Sequence, residues 1–264
     1  MYFIHKKTNV YYTSLGKGKV IVLLHGFLEN STMWTKIANI LSKKYRVICI
    51  DLLGHGKTKN LGYIHTMEDQ ATMVKAILTH LHLRKYILIG HSMGGYVSLA
   101  FAHLFTKTVR GLCLMNSTAL PDSKEKKQNR NRAIKAVKQN PRTFVKLAIP
   151  LLFSKQNREF FTSEIQQITE EALKMSPQGI VASLEGMKIR KNYTSIYKNN
   201  LFPIQLIIGK QDYALDYALD YASLIKQTKN TKVNVIEFPD GHMSHIENRK
   251  EVTVSLTSFI KMCN

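Results

Sequence analysis

Acidic residues are scarce in this sequence. Aspartate and glutamate number 18 against 38 lysines and arginines, a formal net charge of +20. Charge on this scale steers anionic ligands and favours loose contact with nucleic acid or membrane surfaces, but it does not choose a fold. No zinc-finger spacing, aromatic-basic RNA motif or recognition-helix signature accompanies it, so no nucleic-acid partner is expected. Long apolar runs are also missing. Nothing approaches the ~18 residues that a membrane span requires, which argues against stable membrane insertion. The opening Met1-Tyr-Phe-Ile-His5-Lys-Lys7 has no apolar stretch behind its lysines and makes a poor secretory signal. The 3 cysteines, Cys49, Cys113 and Cys263, lack metal-ligand spacing, and their odd, scattered count suits a reducing compartment. A cytoplasmic location is the expectation. The composition, 44% hydrophobic and 21% charged, is that of an ordinary globular chain, and 264 residues suffice for a large core without disulfides or metals.

Apolar runs alternate with helical patterns. Strands are predicted at 19–24, 46–50, 85–89, 109–115, 204–208 and 232–238. Helices are predicted at 31–42 (with Ser31 as cap), 66–81, 93–105, 216–226 and 248–262, and a hairpin at 2–14. Strands separated by helices imply a parallel sheet with right-handed crossovers. Continuous apolar strands imply that helices cover both faces. The expected fold class is α/β, a mostly parallel, doubly wound sheet of about eight strands. The alternation stops near Asn116, and the next eighty or so residues read as helices alone. The domains are therefore assigned as a core at 1–117 and 201–264, with a helical cap or lid inserted at 118–200.

Gly90-His91-Ser92-Met93-Gly94-Gly95 follows an apolar strand and opens a helix. A serine on so sharp a turn projects its hydroxyl above the sheet, at a helix N-terminus that favours a developing anion. Serine is a weak nucleophile and needs a base, and histidine titrates in the right range. His242, in the loop after the last strand, is the candidate; His245 is assigned to packing or capping. The acid that orients the imidazole falls between them in chain order. Asp212 stands closest to a strand end, but the repeat Asp212-Tyr-Ala-Leu-Asp216-Tyr-Ala-Leu-Asp220 leaves Asp216 as an alternative. Two backbone donors are needed for the oxyanion, and the N–H groups of Phe27 and Met93 are the candidates.

His25-Gly26-Phe27, Asp51-Leu-Leu-Gly54-His55-Gly56, Gly90–Gly95, Gly209–Asp212 and Gly241-His242 occur in an order that resembles the α/β-hydrolase family, in its branch with a helical cap. The likeness spans roughly 180 residues of the core on both sides of the insertion. It implies a serine hydrolase with no metal or organic cofactor. A nucleophile at Ser92 argues against the aspartate-dependent dehalogenases and epoxide hydrolases of similar fold. His25, Gly26, Trp34, His91 and Phe153 are candidates for substrate binding. Trp34 and Met33 either line the pocket or fill the core. The basic run from Lys124 to Arg142 reads as a solvated face, and Phe144–Phe153 as an apolar lid stretch or cap packing. The expected activity is hydrolysis of a small-molecule carboxylic ester through an acyl-serine. Alternatives are a thioesterase, an enol-lactone or carbon–carbon bond hydrolase with the same residues, or a non-catalytic receptor for a small molecule. Acyl length and oligomeric state depend on the geometry of the insertion.

Overall fold

The computed structural model describes residues 1–199, 201–215 and 233–263. Its strands are β1 (Tyr2–His5), β2 (Thr8–Leu15), β3 (Val20–Leu24), β4 (Arg46–Ile50), β5 (Tyr86–His91), β6 (Val109–Met115), β7 (Ile204–Gly209) and β8 (Val233–Phe238). They form one 8-stranded sheet in the order β1-β2-β4-β3-β5-β6-β7-β8. The strands from β3 onward run parallel, while the β1–β2 hairpin joins antiparallel through β2 and β4. β3, β5 and β7 are buried along their whole length. That is why they read as unbroken apolar runs rather than as an alternation.

The helices are α1 (Thr35–Leu41), α2 (Met67–His80), α3 (Met93–Leu104), α4 (Lys124–Gln139), α5 (Pro141–Ala148), α6 (Thr162–Ala172), α7 (Pro177–Lys188), α8 (Ser195–Lys198), α9 (Ser244–Glu247) and α10 (Arg249–Met262). One core packs α2 and α3 on one face of the sheet, and a second packs α1 and α10 on the other. Between β6 and β7 the described chain is helical and adds no strand to the sheet. Its helix starts are set locally. Ser123, Asn140 and Ser176 accept the N–H of Lys126, Thr143 and Gly179, and Pro141 and Pro177 occupy first-turn positions where no N–H is needed. The stretch returns to the core through His65 N–H, which donates to Ala182 O at 2.9 Å, and Tyr193 Oη, which donates to Glu68 at 2.7 Å.

Two local expectations differ from the structure. Asn30, not Ser31, caps the first helical segment: its side chain accepts the Thr32 N–H at 2.9 Å. The Ser31 N–H instead donates to Asp51 at 2.7 Å, which ties the turn to the end of β4. The segment then begins as a tight 3₁₀ turn, Ser31–Trp34, before α1. The helix predicted at 216–226 lies outside the described residues, as do Asp216 and Asp220. Among the described residues, no helix is long and apolar enough to cross a membrane.

Candidate active site

The sheet order reverses between β3 and β5: the chain goes from β3 outward to β4, then back across β3 to β5. In open α/β sheets, ligands bind beyond the carboxyl ends of the strands at such a point. The loop at 25–30 follows β3 and Ser92 follows β5. Asp212 follows β7 and His242 follows β8, so four loops converge on one edge.

Ser92 has φ 50° and ψ −116°, a conformation that non-glycine residues avoid. Glycines make room for it. A Cβ on Gly94 would collide with the Leu24 carbonyl, and one on Gly90 with the backbone of Gly94. Strand, turn and helix therefore close tightly enough to hold the serine in place. Its Oγ lies 2.8 Å from His242 Nε2, and His242 Nδ1 lies 2.7 Å from Asp212 Oδ2. Asp212 is buried and held from both sides. Its Oδ1 accepts the N–H groups of Ala214 and Leu215 at 2.9 and 3.1 Å. Its Oδ2 also accepts from Asn116 Nδ2 at 3.2 Å. Asn116 donates to Gly241 O as well, at 3.1 Å, and sits at φ 48° in the left-handed region that asparagine tolerates. In this alignment the imidazole can take a proton from Ser92 while the carboxylate fixes its tautomer. The N–H groups of Phe27 and Met93 enter no intramolecular hydrogen bond among the described residues. Met93 is the first residue of α3, where an N–H has no partner within the helix.

A second buried group stands behind the first. His91 Nδ1–H donates to Glu29 Oε2 at 2.7 Å, and His91 Nε2–H donates to the His242 carbonyl at 2.9 Å. Both ring nitrogens face acceptors, which demands an imidazolium. Burial opposes that charge, but the Glu29 carboxylate and the two hydrogen bonds outweigh it and raise the His91 pKa. Burial likewise opposes the Glu29 charge, yet the charge of His91 and its hydrogen bond hold the carboxyl well below the usual range. Glu29 Oε2 also accepts the Gly26 N–H at 3.0 Å. His245 Nε2 stands 3.4 Å from Glu29 Oε1, out of hydrogen-bond alignment, and burial lowers the pKa of that ring. Glu29, His91 and His245 each present one donor atom within 4.8 Å of the others, a spacing that could hold a cation. The short ion pair already accounts for Glu29 and His91.

The cavity at Ser92 has a volume of about 140 Å³, and its lining includes Phe27, Tyr96, Arg130, Leu152 and Leu215. That is room for about five water-sized groups. His91 forms part of its floor. The other expected pocket residues lie elsewhere. Trp34 is fully buried in the core between the sheet and α1 and α10, because its large apolar ring packs there. Phe153 is fully buried against Phe161, with ring centroids 6.0 Å apart. His25 braces its own loop: Nδ1–H donates to Gly26 O at 2.7 Å, and Nε2 accepts the Leu52 N–H at 2.9 Å. Gly26 donates to Glu29 rather than facing the cavity. Met33 lines a separate cavity of about 470 Å³ on the far side of Glu29. Sequence reasoning missed Glu29 and Asn116, which belong to no motif or periodic face, and it read Arg130 as part of a solvated basic face, whereas its side chain is only 19% exposed and lines the cavity.

The model of the alpha/beta hydrolase fold matches residues 19–249. The chain belongs to the α/β-hydrolase family. An uncharacterized Mycobacterium tuberculosis protein is 33% identical over 102 residues, 39% of this chain and 30% of that protein. The chain thus matches less than a third of the length of that relative. Human monoacylglycerol lipase ABHD6 is 26% identical over 261 residues, covering 91% of this chain and 74% of the lipase. A thermophilic esterase from Thermogutta terrifontis, solved with malate bound, is 28% identical. It superimposes with a TM-score of 0.88 over 97% of this chain and 94% of its own.

Proposed function

We propose that this chain is a carboxylic ester hydrolase that works through an acyl-serine. The observation that carries the reading is the alignment of Ser92 Oγ, His242 and Asp212 at 2.8 and 2.7 Å, beside a cavity. In the proposed cycle His242 Nε2 accepts the Ser92 proton as Oγ attacks the ester carbonyl. The tetrahedral oxyanion takes hydrogen bonds from the Phe27 and Met93 amides. His242 then gives the proton to the departing alcohol, which leaves an acyl group on Oγ. A water deprotonated by His242 attacks that acyl group and releases the acid. Asp212 holds the imidazole in the tautomer with Nδ1–H and stabilises its cation. Asn116 and the amides of Ala214 and Leu215 keep Asp212 in place. The helical stretch at 118–200 acts as a cap, and its Ala148, Leu152 and Met187 close the cavity from above.

The small cavity favours short acyl chains. The esterase and lipase relatives support ester chemistry without naming this chain's own substrate. The test is a 4-nitrophenyl ester series from acetyl to palmitoyl, run beside labelling with a fluorophosphonate probe. Expected are turnover that peaks at or below butyryl, and labelling that is abolished with turnover in Ser92→Ala, a loss on the order of a million-fold in kcat. Turnover that survives Ser92→Ala, or a wild-type protein that neither reacts with the probe nor shows a burst, overturns the reading.

A further inference from the structure

Arg130 belongs to a run of basic residues on α4, most of which face solvent. Its own side chain is only 19% exposed and turns inward to line the cavity that holds Ser92 and His242. Its Nε and Nη2 donate to Asp122, whose carboxylate is fully buried. Asp122 also receives Arg190. The two arginines have different tasks. Arg190 is held by the carbonyls of Leu120 and Met187, at 3.0 and 3.3 Å, and its guanidinium lies 4.2 Å from the centre of the Tyr96 ring. It is fixed in place and does not belong to the cavity lining. Arg130 lines the cavity, and among the described residues no acceptor engages its Nη1.

The trio of two guanidiniums and one carboxylate carries one surplus positive charge. A guanidinium does not give up its proton in a protein. A charge held in a partly desolvated cavity is costly until an anion meets it. Among the described residues the nearby carboxylates do not meet it: Asp212 is bonded to His242 and Asn116, and Glu29 to His91 and Gly26. Outside lies an open basin of about 580 Å³ that shares Arg130, Ala214 and Leu215 with the cavity; Lys210, which also lines it, is paired with Glu237 at 3.3 Å. Its only described acids are Glu125 and the engaged Asp212. In a chain of formal net charge +20, anions are drawn to this mouth. The planar fork of an arginine suits a carboxylate.

We propose that Arg130 recognises a carboxylate on the substrate, and that the enzyme acts on small esters or lactones bearing a free carboxylate a few bonds from the reacting carbonyl. This rests on the acyl-serine reading above. The covalent steps are those already given, and Arg130 forms and breaks no bond.

The purified chain is assayed by pH-stat on two matched sets. Monomethyl succinate, glutarate and adipate carry the anion; methyl butyrate, valerate and hexanoate replace it by a methyl group. Wild type is expected to prefer at least one anionic ester over its neutral match by about tenfold or more in kcat/KM, the scale of a charge-assisted hydrogen bond. Arg130→Gln is expected to erase that ratio, and Arg130→Lys to keep part of it. No wild-type preference at any length, or a ratio that survives Arg130→Gln, overturns the proposal. Equal falls on both sets with a lowered Tm also overturn it, because they assign Arg130 to holding the cap. A further measurement needs no variant. Glutarate should inhibit 4-nitrophenyl acetate turnover by wild type at least about tenfold more strongly than glutaramide or inorganic phosphate at equal ionic strength. Equal inhibition by the diamide removes the charge requirement, and equal inhibition by phosphate removes the carboxylate. If Ser92 takes no probe and no ester turns over, the acyl-serine reading fails. Thermal stabilisation by glutarate, present in wild type and lost in Arg130→Gln, then still decides the subsite, and its absence overturns it.

Discussion

Replacing Glu29 by glutamine tests whether the pair behind Ser92 is held by charge. The side chains of Glu29 and His91 are 2% and 1% exposed and stand 2.7 Å apart, so solvent screening does little to weaken the pair. Glutamine keeps the shape and can still accept the Gly26 N–H, but it removes the charge that keeps His91 protonated. Breaking one member of a buried pair costs about 3–5 kcal/mol. For chains of roughly this size, each kcal/mol moves Tm by about 2–4 °C, so a fall of about 6–20 °C is expected near pH 6. The sign of the pH dependence follows from the two shifts. Glu29 has a lowered folded pKa. Its contribution is present above the unfolded value of about 4.3, and is lost only as pH falls through the lower folded one. His91 has a raised folded pKa. Its contribution is complete below the unfolded value of about 6.5, and is lost as pH rises through the higher folded one. Both act together between about pH 4.5 and 6.5. The stability gap between wild type and Glu29→Gln should therefore be widest near pH 6 and shrink toward pH 9. Urea unfolding followed by circular dichroism at pH 6, 7.5 and 9 measures it. A gap under about 1 kcal/mol at pH 6, or one that grows with pH, would refute a charged pair.

Four further substitutions separate the roles of neighbouring residues. Asp212→Asn should lower kcat for nitrophenyl acetate by about four orders of magnitude, because the wrong tautomer of His242 is then favoured. Asp216→Asn should stay within a few-fold of wild type, and the opposite pattern would transfer the acid to Asp216. Asn116→Ala removes a donor to both Asp212 and Gly241 O. It should cost about 1–3 kcal/mol in urea unfolding together with a roughly tenfold lower kcat. Trp34→Phe should lower stability by about 0.5–3 kcal/mol while leaving the acyl-chain profile where it was. A shifted chain-length optimum would return Trp34 to the pocket.

What the sequence made legible follows from where each signal is written. β3, β5 and β7 are covered on both faces, so burial is printed in the chain as β-branched runs. Ser92 needs its glycines within a few residues, because the atoms that would collide with their side chains are the backbone of the same turn and of β3. Glu29 has no such local mark. It stands in a loop with no periodicity, and its charged partner, His91, comes from the end of β5, sixty-two positions on. Arg130 is one basic residue among many on a polar helix, and only Asp122, folded beneath it, distinguishes it from its neighbours. Trp34 and Phe153 show the converse limit. A large apolar side chain reports that it is buried, but not whether it faces a cavity or a core. Asn30 and Ser31 are both good helix caps, and the choice falls to Asn30 because Asp51, twenty positions on, takes the Ser31 N–H.

The Glu29–His91 pair also explains why so polar a cluster is retained under a catalytic-type centre. In the proposed mechanism, the three groups that meet at the reacting carbonyl lie on separate loops: the amide of Phe27 after β3, the hydroxyl of Ser92 after β5, and the imidazole of His242 after β8. Glu29 holds the Gly26 N–H of the first loop. His91 is part of the second and donates to the His242 carbonyl of the third. One buried ion pair thus fixes the separations among all three loops. An apolar replacement of equal volume could fill the space, but it could not accept from Gly26 and donate to His242 at once. His91→Leu should therefore lose more in kcat than its change in stability accounts for, while KM for a short ester changes little. A KM effect larger than the kcat effect would place His91 in substrate binding instead, through the part of its ring that reaches the cavity floor.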